Sequence, residues 1–320
     1  MGGTKTVLAL FGPEGPPAPA LRRAVLPTAT GTGPAASIRT FLGADAGRVR
    51  AACLAVAGPV RENRVPAVNL PWPLDGGDLA RAAGLPRVTL LNDLEATAEA
   101  LPVLAGADLL VLREGRPDPA GARAVIAAGT GLGMAIVSPR GEVVPAEGGH
   151  STFPARTPLE TALRDRLAGR YGHVSRERVV SGPGLAAIHA FLRDRAGLPP
   201  PPAAPDPAAA AAKAALRGGD PLAEEALRIF LCAYGASAGD LALVALARGG
   251  LYVAGGIAAK LASRFSGGEF LDGFSDKGRL RSLMDEIPVR LIRNQDAPVL
   301  GAARRAVRDA AASAPGGRPA

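Results

Sequence analysis

The sequence predicts an α/β protein of two domains, and three observations carry that prediction. Short apolar runs of β type alternate with longer helical stretches along the chain. The 320 residues exceed a single typical domain of about 100–200. Two glycine-rich turns, one at Gly2-Gly3-Thr4 and one at Gly129-Thr130-Gly131, each lead into an apolar strand, as though each opened a domain on one plan.

In chain order, strands are expected at Thr6–Leu10, Arg48–Ala57, Arg87–Leu91, Leu109–Leu112, Arg123–Ala128 and Gly133–Ser138, with glycine or proline punctuating their starts. Later strands read at Leu251–Ala254 and Pro288–Arg293. Helices are expected at Gly77–Ala83, Glu95–Ala105, Pro158–Tyr171, Pro183–Arg195, Pro221–Arg248 and Pro298–Ala312. Pro199–Ala212 has too few large apolar groups for a core and reads as a surface loop or linker leading into a helix. The residues 313–320 read as a disordered tail.

Composition narrows the function classes. Hydrophobic residues are 48% and charged residues 21%, which argues against wholesale disorder. No apolar run is expected to approach the ~20 residues of a membrane-spanning helix, and the N-terminus lacks the pattern of a secretory signal. Cys53 and Cys232 sit in apolar surroundings and read as isolated thiols suited to a reducing cytoplasm. No Cys/His cluster has zinc spacing. The net charge of +8 rests on arginines scattered along the chain, with only four lysines and 4% aromatics. A nucleic-acid binder would cluster that charge and add stacking rings, so the charge at most helps attract an anionic substrate.

Several segments carry candidate chemistry. Asn92 and Asp93 end an apolar strand and enter a helix, where ligands bind in open α/β sheets. Asp93 reads either as the helix N-cap or as a base over a substrate hydroxyl, and this segment alone leaves both open. Glu147-Gly-Gly-His150 sets two polar side chains around glycines that allow close backbone approach; both side chains suit hydroxyl binding, the other readings being a solvated loop or a metal half-site that is not on a helix and lacks its second half. Glu177 precedes a Ser-Gly-Pro-Gly turn and reads either as a ligand or as a surface carboxylate paired with Arg176 or Arg178. Gly255 and Gly256 end a buried strand and offer a flat backbone for an aromatic ring, or a plain strand-to-helix turn. The Gly129–Gly131 turn is neither a P-loop nor a dinucleotide fingerprint, and alone it also reads as a tight hairpin. His173 and His189 suggest no role.

Taken in order, Gly-Gly-Thr, Leu-Asn-Asp, Ala-Gly-Thr-Gly-Leu-Gly, Glu-Gly-Gly-His, Glu-Arg-Val-Val-Ser-Gly-Pro-Gly and Val-Ala-Gly-Gly-Ile closely resemble the bacterial glucokinase family of ATP-dependent hexokinases. Val68-Asn69-Leu-Pro-Trp72, Asp276-Lys-Gly-Arg279 and Ile287-Pro-Val-Arg-Leu-Ile292 extend the resemblance, which runs from Gly2 to about Arg305. The absence of a zinc-binding cysteine cluster favours the non-zinc branch.

The resemblance implies the two-domain actin-like (ribonuclease-H-like) fold with an interdomain cleft. The small domain would be residues 1–102 plus 297–312, and the large domain residues 103–296. It implies phosphoryl transfer from ATP to the 6-hydroxyl of glucose with Asp93 as general base. Asn92, Glu147, His150 and Glu177 match sugar-holding positions. Gly2, Gly3, Thr4, Gly129, Thr130 and Gly131 match phosphate loops, and Gly255 and Gly256 the adenosine motif. Mg²⁺ would arrive with ATP; no structural zinc, nucleic acid or membrane is implied. The setting is cytoplasmic, and a homodimer is compatible with it.

The family pattern opens with a strand and then Asp-x-Gly-Gly-Thr, whereas Met1 holds the x position here. The expectation is therefore a start about ten residues upstream, roughly a strand and its turn. One alternative is an inactive truncated kinase lacking that aspartate, which helps place Mg²⁺; another, independent of it, is a catalytically weak sugar sensor of the same fold.

Overall fold

A computed structural model describes residues 1, 5–28, 33–66 and 72–313 and forms two compact units. One unit is Met1–Gly106 with Asp296–Ala320, the other Ala107–Gln295. Gly2, Gly3, Thr4, Asn69 and the tail from residue 314 lie outside the described residues.

In the first unit, the strand Ala52–Val56 runs parallel to Val88–Asn92, with the helix Gly76–Ala83 in the connection. Parallel neighbours need such a crossover. Asp75 starts that helix by accepting from the Asp78 N–H at 3.0 Å. Gly84 ends it at φ +69°, a left-handed conformation open to glycine. Val56, Leu74, Leu79, Val88 and Leu90 bury with Ile38 and Leu42 of the helix Pro34–Leu42. Lys5–Leu10 and Arg22–Pro27 form a separate antiparallel pair, Lys5 opposite Pro27. Met1 lies against Ala52–Val56: its amine donates to the Ala55 carbonyl and its carbonyl accepts from the Ala57 N–H.

Two expected boundaries move here, each for a local reason. The strand expected from Arg48 begins at Ala52, because Gly43–Arg48 winds into a 3₁₀ turn. The helix expected over Glu95–Ala105 spans Asp93–Ala100, with Pro102 in the 3₁₀ turn Leu101–Val103 that follows. Arg22–Pro27 mixes arginines with half-buried Ala24 and Leu26, too weak a pattern to read as a strand.

The terminal helix Ala297–Ala312 packs on Asp93–Ala100 at very close range. A Cβ at Gly301 would stand 1.7 Å from the Ala96 carbonyl oxygen, so only glycine fits. Beside that contact, buried Glu99 pairs with Arg304 and, at 3.0 Å, with Arg308. Asp309 accepts from the Thr89 hydroxyl at 2.6 Å and from Arg305 at 3.0 Å.

The second unit is built on a mixed sheet in the order Val143–Ala146, Leu132–Val137, Arg123–Ala128, Gly250–Ala254, Val289–Ile292, Leu109–Arg113. Its three central strands from Arg123–Ala128 to Val289–Ile292 are parallel, and the flanking pairs are antiparallel. Ala124, Val125 and Ile126 are wholly buried, which is why this strand reads as a continuous apolar run.

The helix Pro221–Ala245 crosses the core, capped by Asp220. It is long and apolar enough to pass for a membrane span, and most of it is buried inside the unit. Tyr234 packs edge-on against Phe230, Phe265 and Phe270 there. The Pro/Ala tract differs from its expected loop: Asp206 caps a helix over Pro207–Arg217, and Ala211 and Ala215 are buried. Alanine has the highest helix propensity, and its small side chain suits close helix packing.

Candidate active site

Asn92 and Asp93 stand at the carboxyl end of the strand Val88–Asn92, where the chain turns into the helix Asp93–Ala100. The cap is Asn92, not Asp93. The Asn92 side-chain oxygen accepts from the Glu95 N–H at 2.6 Å, and the Glu95 carboxylate accepts from the Asn92 N–H at 2.8 Å. This reciprocal capping box leaves the Asn92 amide nitrogen as a donor and frees the Asp93 carboxylate from capping. The Asp93 side chain keeps an exposed face, yet the surrounding protein removes enough water to raise its carboxyl above the usual 3.8. The Leu94 N–H and the Met1 ammonium oppose that rise without cancelling it.

The second unit gathers the other described candidates around the backbone of Leu132. Gly129, Thr130 and Gly131 form the hairpin loop between Ala128 and its partner Leu132, so the hairpin reading and the phosphate-loop reading describe one turn. The Gly129 carbonyl accepts from the Gly182 N–H at 2.8 Å, which ties the loop to the helix Gly182–Arg195. Glu177 accepts from the Leu132 N–H at 3.0 Å. A Cβ at Gly131 would lie 2.4 Å from that carboxylate. Glu177 thus has no ion pair with Arg176, which binds Asp240 instead at 2.8 Å, while Arg178 lies over the Tyr171 ring.

Glu147 precedes the turn Gly148–His150 and His150 ends it, both exposed, with the His150 Nε2 3.8 Å from Glu147. The two glycines between them pack closely on the neighbouring strand. A Cβ at Gly149 would meet the Leu132 carbonyl at 1.9 Å, and one at Gly148 the Met134 sulfur at 2.6 Å. Gly255 has φ +93° and would carry its Cβ 2.8 Å from the Ala128 carbonyl. The Gly255–Gly256 turn and the Gly129–Gly131 turn therefore adjoin at the carboxyl ends of adjacent parallel strands.

Tyr234 is a support that sequence reasoning does not single out. Its hydroxyl accepts from the Ala128 N–H at 2.9 Å, directly before the Gly129 turn, and faces the Ile126 and Ala254 carbonyls. Burial raises its phenol far above the ordinary range, so it stays protonated. One phenol amid the apolar run 229–236 of this helix is the available signal, since a buried hydroxyl seeks a partner.

Cys53 and Cys232 are free and half-buried, and burial pushes the Cys53 thiol up to about 12. Among the described residues, no group of three or more His, Cys, Asp or Glu is placed to hold a metal ion.

Known proteins are similar to this chain in sequence and in fold. The family profile described as Glucokinase matches residues 1–309. A glucokinase of Synechocystis sp. is 42% identical over 278 residues, covering 80% of this chain and 78% of the relative. The crystal structure of a glucokinase from an Antarctic psychrotroph superposes with a TM-score of 0.80 at 31% identity, covering 90% of each chain. A ROK family glucokinase from Streptomyces griseus, solved in complex with glucose and AMPPNP, shares the fold with a TM-score of 0.62 at 20% identity, covering 96% of this chain and 97% of that one.

Proposed function

This chain belongs to the glucokinase family and is an ATP-dependent hexose kinase of actin-like α/β fold; from that premise we propose that it transfers the γ-phosphoryl group of ATP to the 6-hydroxyl of glucose with Asp93 as general base. The observation that carries the role of Asp93 is the division of labour at its helix start. Asn92 does the capping, which leaves beside it a carboxylate with an exposed face and raised proton affinity, held by the Leu94 N–H and paired with no described side chain.

Phosphoryl transfer depends mainly on positioning and charge neutralisation. In this reading Asp93 accepts the proton of the 6-hydroxyl as that oxygen attacks phosphorus. Such help is typically worth about 10²–10⁴ in rate. The Asn92 amide nitrogen donates to a sugar hydroxyl, since its oxygen is engaged by Glu95. Glu147, His150 and Glu177 hold the other hydroxyls, so an analogue lacking one leaves a polar group unpaired.

On the nucleotide side, the Thr130 and Gly131 N–H groups face the phosphates, while the Gly129 N–H donates to the Gly131 carbonyl at 2.8 Å and closes the turn. Gly255 and Gly256 lie along the adenosine. Gly2, Gly3 and Thr4, outside the described residues, complete the phosphate contacts. Mg²⁺ would enter as part of the MgATP substrate and would supply charge neutralisation at the phosphates. The product, a sugar phosphate made at the cost of ATP, fits a cytoplasmic enzyme at the entry to glycolysis.

The test is a coupled assay over a panel of hexoses with ATP, ADP and polyphosphate as donors. Glucose-dependent release of ADP, fastest with glucose and ATP, is the expected result. Glucose binding without ATP consumption would overturn the kinase reading in favour of a sensor.

A further inference from the structure

The motif Asp276-Lys-Gly-Arg279 has no part in the reaction described above, yet its lysine is well buried, with a side chain 9% exposed. Lys277 Nζ lies 2.7 Å from one oxygen of Asp240 and donates to the Ala236 carbonyl at 3.1 Å. The other oxygen of Asp240 accepts from Arg176 Nη1 at 2.8 Å. Arg176 Nε donates to the Ser151 hydroxyl at 2.8 Å, and that hydroxyl donates to the Gly148 carbonyl at 2.7 Å. The Arg176 backbone N–H also donates to the Ser151 carbonyl, at 2.9 Å.

One chain of hydrogen bonds, charge-assisted as far as Ser151, thus runs from the core helix to the turn that carries Glu147 and His150. Its arginine is the residue immediately before Glu177. A planar guanidinium can hold two acceptors in a fixed fork, which an ammonium cannot. The Arg176 side chain is only 15% exposed, so these bonds escape most of the screening that weakens surface pairs.

Building on the sugar-site reading above, we infer that Arg176, seated by Asp240 and Lys277, is the positioning residue that locks the Glu147–His150 turn to Glu177 and thereby sets hexose affinity and hydroxyl selectivity. It acts through the turn and touches neither glucose nor ATP.

The test uses the full chain with Arg176→Lys, Lys277→Met and Ser151→Ala, measured with glucose, 2-deoxyglucose and ATP. Arg176→Lys is expected to raise the glucose KM about tenfold, with the ATP KM within about twofold. Lys277→Met, which touches neither turn, is expected to raise the glucose KM a few-fold. Ser151→Ala should add nothing on top of Arg176→Lys, because both break one path. The preference for glucose over 2-deoxyglucose should narrow in all three.

An unchanged glucose KM in folded Arg176→Lys and Lys277→Met, or equal rises in the glucose and ATP KM, overturns the inference. If Arg176→Lys does not fold, exposed Ser151→Ala carries the test, and an unchanged glucose KM there overturns it as well. Glu147→Gln and His150→Ala run alongside. If those two leave the glucose KM unaltered, the sugar-site reading itself fails. If they raise it and the positioning variants do not, only this inference falls.

Discussion

Asp93 is the first residue of its helix, and its neighbour Asn92 does the capping. Asp93→Asn keeps the size and hydrogen bonding but removes the proton acceptor. The expected result is glucose binding within a few-fold of the parent and a kcat lower by about 10² or more, read by titration and steady-state kinetics. Near-normal turnover would remove Asp93 from its role. The direction of its pKa also sets a pH signature. A base works deprotonated, so kcat should fall as pH drops through the Asp93 pKa. Burial raises that pKa, so this acid limb lies above the ordinary 3.8. The residual activity of Asp93→Asn should lack the limb. On the sugar side, Glu147→Gln and His150→Ala are expected to raise the glucose KM by about tenfold or less for a neutral bond and more for a charged one, with a smaller change for ATP.

At the scale of elements, two contacts hold the candidate groups in register. The helix that begins with Asp93 is braced by the terminal helix through Gly301 and through Glu99 with its two arginines. Gly301→Ala forces a methyl group into the Ala96 carbonyl, so the helices must separate. The cost should reach or exceed the ~1–3 kcal/mol typical of overpacking, seen as a lower melting temperature. An unchanged melting temperature would show that the pair can slide without loss. The second contact is Tyr234 beneath the Gly129 turn. Tyr234→Phe strands the buried Ala128 N–H, at about 1–3 kcal/mol. Because that N–H directly precedes the loop assigned to phosphate, the ATP KM should rise several-fold while the glucose KM moves little. Parallel changes in both would mark Tyr234 as structural only.

At the scale of the whole molecule, the second unit is a continuous stretch, Ala107–Gln295, whereas the first is assembled from two segments of chain. The second unit has its own sheet and a core around Phe230, Tyr234, Phe265 and Phe270. A fragment of residues 107–295 is therefore expected to unfold cooperatively on its own, as followed by circular dichroism during heating. It should show no kinase turnover, since Asp93 belongs to the other unit. A fragment that melts without cooperativity would mean that its core needs the remaining chain.

The sequence by itself determined the class of the fold and the family. Alternation of short apolar runs with helices is a local signal, and glycine-rich turns between them survive as readable strings. Chain-local chemistry also placed Asn92 and Asp93 at a strand-to-helix turn and Gly129–Gly131 beside an apolar strand. The tertiary structure alone decided what those groups do with their bonding capacity. Both Asn92 and Asp93 are competent caps, and only backbone geometry shows that Asn92 took the task. Glu177 has arginines on both sides in the chain, yet it binds the Leu132 N–H, forty-five positions away. Gly148, Gly149 and Gly301 are explained by atoms of other elements that a Cβ would strike. Such contacts join residues distant in sequence, and no local propensity encodes which distant backbone will arrive beside a given side chain.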